Sequence, residues 1–165
     1  MGQVRTVTTS IEIAAKPSTV RSVFLNWSSY PSWTQRWTLT PLTPPDRAPP
    51  SLQTNDKIKV DLKGTVFRPT IVENTPTTFS WQGSLYGLFD GKHSFIFEES
   101  KVTPGGTTFV NKEEFTGLLT WFVREGSGGA EKAKVGFEAF NEDVKREAER
   151  VERGEGEGAG VGDGK

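Results

Sequence analysis

The chain of 165 residues has no cysteine and a single histidine. Without cysteine there is no disulfide framework, no thiolate nucleophile, and no cysteine-bound zinc or iron–sulfur cluster. With His93 as the only imidazole, a His-rich metal site is excluded, and any Ser–His–Asp arrangement must run through that residue. Long apolar runs are missing too: no stretch approaches the roughly 18 residues of a membrane span. An excess of one charge is also lacking. Lys+Arg 20 against Asp+Glu 21 gives a formal charge of −1, which argues against the concentrated basic surface of a nucleic-acid binder.

The N-terminal residues lack the apolar core of a secretory signal. Gly2 with Thr6 fits the loose myristoylation pattern, but the segment from Val4 to Ile13 already reads as a strand. Asn26-Trp27-Ser28 is formally a glycosylation sequon, expected to stay bare without a secretion signal. The expected location is the cytoplasm. Residues 154–165 alternate glycine with Glu, Ala, Val and Asp, too little apolar surface to offset the entropy of ordering, so they read as a disordered tail. Residues 1–153 then form one domain, since splitting them would leave two marginal cores.

What is present is aromatic. Only 33% of residues are hydrophobic, yet 11 are Phe and 5 are Trp. Bulky rings bury much area each, so a substantial core or pocket is within reach. Val7, Thr9, Ile11 and Ile13 alternate with polar residues, the period of a half-buried strand. Pro17 suits a first helical turn, and Val20, Val23, Phe24 and Trp27 make one helical stripe. Pro31 disfavours a helical Tyr30, so the helix should break there, with a further short turn carrying Trp33 and Trp37. The prolines between Pro41 and Asp56 predict a stiff loop and no strand. Alternating runs follow over 57–63, 65–73, 78–85, 92–99 and 107–116, separated by tight turns, as in an antiparallel meander. Residues 130–153 carry Ala133, Phe137, Phe140, Val144, Ala148 and Val151 at helical spacing, opposite a charged face. The fold class is therefore α+β: a curved antiparallel sheet whose apolar face is covered by a long C-terminal helix, with two short helices after the first strand.

The order of these elements, and the residues at their joints, resemble the START-like superfamily with its helix-grip fold, in its polyketide cyclase and lipid-transport branch. The resemblance is carried by Pro17-Ser-Thr-Val20, Asn26-Trp-Ser-Ser-Tyr-Pro-Ser-Trp33 and Phe79-Ser-Trp-Gln-Gly83. It continues through Gly91-Lys-His-Ser-Phe95, Glu113-Glu-Phe-Thr-Gly-Leu-Leu119 and Phe137-Glu-Ala-Phe-Asn-Glu-Asp-Val-Lys145, and spans nearly everything from Val4 to Arg150. The loop from Pro41 to Asp56 departs from it, being longer and richer in proline. The resemblance implies an apolar cavity between sheet and helix, but it does not select an activity.

Alternation independently turns Trp81, Phe95, Phe97, Phe109, Phe115, Phe137 and Phe140 inward, as core or as cavity lining. His93 and Glu113 fall among them, where an unpaired polar group costs about 1–3 kcal/mol, so both should be bonded. They read either as a structural pair or as a catalytic dyad in which Glu113 orients His93, which takes a proton next to a substrate carbonyl. Asn111 and Asn141 would bond a ligand carbonyl or cross-link the core. Trp33, Trp37 and Tyr86 belong at the cavity mouth, as lids or as packing; the glycines flanking Tyr86 would let that connection move. Arg68 and Asp90 read as solvated strand and turn residues. No metal is expected, with no cysteine and one histidine to hold it, and no cofactor, because orienting a chain for intramolecular closure already contributes several kcal/mol. Three functions fit: a cyclase-like enzyme acting on a polyketide-like or other secondary metabolite, a carrier or sensor of a hydrophobic metabolite, and a cochaperone-like interaction module.

Overall fold

Strand β1 (Arg5–Ile13) follows the predicted alternation, with Val7, Thr9 and Ile13 buried. It leads into α1 (Pro17–Leu25), which has Pro17 in its first turn and buries Val20, Val23, Phe24 and Leu25. The structure, a computed structural model, describes residues 4–85, 89–117, 119–122 and 128–154. Gly2, Tyr86 and the segment 155–165 lie outside the described residues.

The remaining strands are β2 (Thr38–Thr43), β3 (Lys57–Leu62), β4 (Thr65–Phe67), β5 (Thr70–Asn74), β6 (Thr78–Leu85), β7 (Phe89–Glu99) and β8 (Thr107–Gly117). They form one sheet in the order β1-β8-β7-β6-β5-β3-β2, with β4 paired to β3. The first strand thus lies beside the last, and β7 sits between its neighbours with β8 on one side and β6 on the other. Helix α2 spans Tyr30–Trp33 and α3 spans Leu119–Phe122.

The long helix α4 (Gly129–Glu152) buries Phe137, Phe140, Asn141, Val144 and Ala148 against the sheet. Glu131 in its first turn and Arg150 in its last complement the helix dipole. Gly154, at φ 78°, ends it in the left-handed conformation that glycine adopts without strain. Lys145 fastens α4 to β1 by donating to the Glu12 carbonyl at 2.7 Å. The curved sheet gripping this helix is the helix-grip fold.

Three local expectations are corrected. Pro41 lies within β2 and not in a loop: β2 is an edge strand, so the missing proline N–H removes no ladder bond that the sheet needs, and the register shifts just after it. Tyr30 is helical (φ −49°, ψ −45°), with Pro31 accommodated in the first turn of α2. There the missing N–H costs nothing, and the buried Tyr30 hydroxyl donates to the Phe24 carbonyl at 2.5 Å. Trp37 lies beyond that turn. The run 65–73 is broken at Arg68-Pro69 into β4 and β5. The Pro69 carbonyl instead accepts from the Ile58 N–H at 3.1 Å.

The core is a set of rings. Phe24 sits 4.5 Å from Phe95 and 5.5 Å from Phe79 between ring centroids, and Phe97 stacks on Phe109 at 5.7 Å. Each such burial contributes about 1.5–3 kcal/mol. Rings therefore fill the interior around α1. Towards the β3–β4 end it changes character.

Candidate active site

One cross-strand row runs Trp81–His93–Glu113–Val7 through β6, β7, β8 and β1, and every member points under the sheet. The next row reads Gly83–Gly91–Phe115–Arg5. Paired glycines remove two side chains from the concave face, and a hollow replaces them. Its volume is about 270 Å³. Trp37, Leu62, Phe67, Trp81, Phe115 and Phe137 form its apolar wall, and His93 and Glu113 supply polar atoms.

His93 lies in an aromatic cage. Its ring stacks on Phe95 at 4.4 Å and 12°, with Phe137 at 4.9 Å, Trp81 at 5.2 Å and Trp37 at 5.7 Å. Both ring nitrogens have partners. Nδ1 is 3.2 Å from Glu113 Oε2, and Nε2 is 2.5 Å from Asn111 Oδ1. The Asn111 amide then donates to Asn141 Oδ1 at 3.1 Å, and the Asn141 amide donates to Thr9 Oγ1 at 2.9 Å. A continuous chain thus links β7, β8, α4 and β1, and it satisfies polar groups whose unpaired burial would cost about 1–3 kcal/mol each. The Glu113 side chain is 22% exposed and that of His93 5%. Of the two, the carboxylate is the group open to the hollow.

A Cβ on Gly91 would stand 2.9 Å from Glu113 Oε1, so the absence of a side chain there gives the carboxylate its place. Trp37 is held by a second polar cluster. Buried Asp143 accepts from Thr34 Oγ1 at 2.9 Å, Arg36 Nε at 3.0 Å and Arg146 Nη2 at 3.0 Å. This ties residues 34–36 to α4 and stacks Trp37 on Phe140 at 4.0 Å and 12°.

Of the residues singled out from the sequence, His93, Glu113, Trp37, Trp81, Phe115 and Phe137 surround the hollow. Phe95, Phe109 and Phe140 lie behind it in the core, fully buried. Asn111 and Asn141 are buried in the hydrogen-bond chain, with protein groups as their partners. Trp33 packs against Tyr30 at 4.7 Å and bonds Ser29 Oγ through its indole N–H. Sequence reasoning missed the parts played by Thr9 and the glycine pair, and it read Arg68 as a solvated strand residue; Arg68 is exposed, but it lies between β4 and β5 and borders the hollow. The glycines were legible as successive inward positions of β6 and β7; Arg68 carried no such signal. Among the described residues, no group of three or more His, Asp or Glu is placed to hold a metal ion. No helix among them is long and apolar enough to cross a membrane.

A concave sheet, a long gripping helix and an aromatic hollow between them define a START-like domain. The chain belongs to the family described as polyketide cyclase / dehydrase and lipid transport, which it matches over residues 4–152. Solved structures share the fold. A START superfamily protein from Mycobacterium smegmatis is 16% identical with a TM-score of 0.66, covering 88% of this chain and 98% of its own. The ZhuI aromatase/cyclase from Streptomyces sp. R1128 is 16% identical with a TM-score of 0.59, covering 93% and 99%. Norcoclaurine synthase from Thalictrum flavum, solved with a transition state analogue, is 8% identical with a TM-score of 0.61, covering 90% and 96%. No curated protein sequence matches the chain.

Proposed function

We propose that the protein binds a hydrophobic, carbonyl-bearing small molecule in the hollow, and that Glu113, steadied by His93, exchanges a proton with it. In such a step the carboxylate takes a proton from the carbon beside a carbonyl. The electron pair left behind forms an enolate, which attacks a second carbonyl of the same chain. The new alkoxide then recovers the proton from Glu113. This is a cyclase-type reaction on a polyketide-like or related metabolite, and it consumes no cofactor. The apolar walls would fold the chain, since orientation contributes more to such a closure than any single proton transfer.

The observation that carries this reading is the division of labour within the pair. Both nitrogens of His93 are engaged, whereas Glu113 Oε1 has no hydrogen-bond partner among the described residues. In the catalytic one of the two readings open from sequence, His93 is the base and Glu113 its orienter; the geometry favours the reverse. A second reading, a carrier that performs no chemistry, is supported by the lipid-transport part of the family description.

The two separate with 1-tetralone, an apolar aromatic ketone small enough for the hollow. Exchange of its α-protons in deuterated buffer, followed by NMR, should be accelerated by the protein and lose about 10²-fold or more in Glu113→Gln. Binding of 1-tetralone with no acceleration would leave the carrier. Native mass spectrometry of the purified protein would then identify what it carries.

A further inference from the structure

Outside the aromatic hollow lies a second one of about 360 Å³, which shares Trp37, Leu62, Glu113 and Phe137 with the first. The two are inner and outer parts of one opening. The outer part is lined besides by Arg36, Lys63 and Lys132, and Glu113 is the one carboxylate among its described lining residues. Arg36 is committed through Nε to Asp143. Lys63 and Lys132 are exposed and form no ion pair with a described residue.

Neither lysine is where local structure would put it. Lys63 and Gly64 make the turn between β3 and β4, with φ at 55° and 105°. A left-handed residue in such a turn is ordinarily Gly, Asn or Asp, and a lysine there is strained. Lys132 lies in the first turn of α4, where the helix dipole disfavours a cation. Both nonetheless line the same opening, in a chain whose formal charge is −1. Local propensity does not account for the coincidence. A negative charge entering the opening would.

We propose that Lys63 and Lys132 bind an anionic group, carboxylate or phosphate, on a ligand whose apolar body fills the inner hollow. Glu113 forms part of the wall that the two parts share, so the carboxylate meets the ligand between its anionic outer end and its apolar body. The inference rests on the ligand-binding reading above and adds a charge to the ligand's outer end. It also sets polarity of entry: apolar end first.

The test uses three probes with one aromatic body: 1-naphthaleneacetate, 1-naphthyl phosphate and the methyl ester of the first, titrated by calorimetry. At low salt at least one anion should bind about tenfold more tightly than the ester, as two exposed charge contacts allow. That preference should vanish in Lys63→Gln/Lys132→Gln and shrink at 0.5 M salt, while the ester is unaffected. The ratio of the two anions tells carboxylate from phosphate. Equal binding of anions and ester, unchanged in the double variant, overturns the anion site and leaves the cavity standing. If none of the three binds, the cavity reading fails and this inference with it.

Discussion

Asn111 Oδ1 lies 2.5 Å from His93 Nε2, and that contact decides how the imidazole is used. A histidine whose outer nitrogen is tied to a strand neighbour cannot swing towards a ligand. Its remaining nitrogen reaches only Glu113, so in the proposed reaction His93 works through the carboxylate.

The direction of the amide chain has a spectroscopic consequence. Because the Asn111 amide nitrogen donates onward to Asn141, its oxygen is left to accept, so His93 carries a proton on Nε2, and a further proton, on Nδ1 or on Glu113 Oε2, makes the contact between those two atoms. The protein has one histidine, so nitrogen-15 spectra report it without ambiguity. We expect a protonated Nε2 in the wild type and a mixture of tautomers in Asn111→Leu. A proton confined to Nδ1 in the wild type would reverse the chain.

Gly91→Ala should damage the site more than the fold. The new methyl group meets Glu113 Oε1, the far end of a flexible side chain, at 2.9 Å. The carboxylate moves and its contact with His93 Nδ1 lengthens, while the backbone stays. Melting should change by the equivalent of about 1 kcal/mol or less, with a clear loss of 1-tetralone exchange activity.

Phe140→Ala is the converse. Phe140 is fully buried, packs on Phe24 and Phe95, and supports Trp37. Removing it should cost about 3–5 kcal/mol, lowering the melting temperature by roughly 6–20 °C. Ligand affinity should fall as well, because Trp37 loses the surface that holds it.

The proline-rich loop should loosen in acid. Asp56 accepts from the Gln53 N–H at 2.7 Å and from Arg47 Nη1 at 2.6 Å, and these bonds hold its carboxyl below its ordinary range. A depressed folded value means that the stabilisation is full above the ordinary aspartate range and is lost as pH falls through the lower one. Protection of the amides across 47–56, taken relative to their intrinsic exchange rates, should fall over that window in the wild type. In Asp56→Asn that protection should already be lower at neutral pH and change little with acid; identical protection profiles would show that Asp56 does not hold the loop.

Residues whose environment is set by their immediate neighbours were legible. The alternation of β1, the stripe of α4 and the inward run Phe95, Phe97, Phe109 and Phe115 all survive, because period two and period 3.6 are properties of the backbone itself. The facing of His93 and Glu113 was legible for the same reason: each sits at an inward position of its strand, and the hairpin register sets them opposite one another.

What the chain could not disclose locally is whatever depends on who lies across from whom. Pro41 is tolerated because β2 ended up at an edge, a fact of strand order. Asn111 and Asn141 looked equally suited to a ligand or to each other, and only the seating of α4 on β8 and β1 joined them. The hollow itself arises because Gly83 and Gly91 are paired while the rings of Trp81 and His93 fill the row beside them. Sequence therefore determined which side chains point inward. Tertiary packing decided which meet, which are spent on one another, and where space remains, since burial and hydrogen bonding are satisfied by partners distant in the chain.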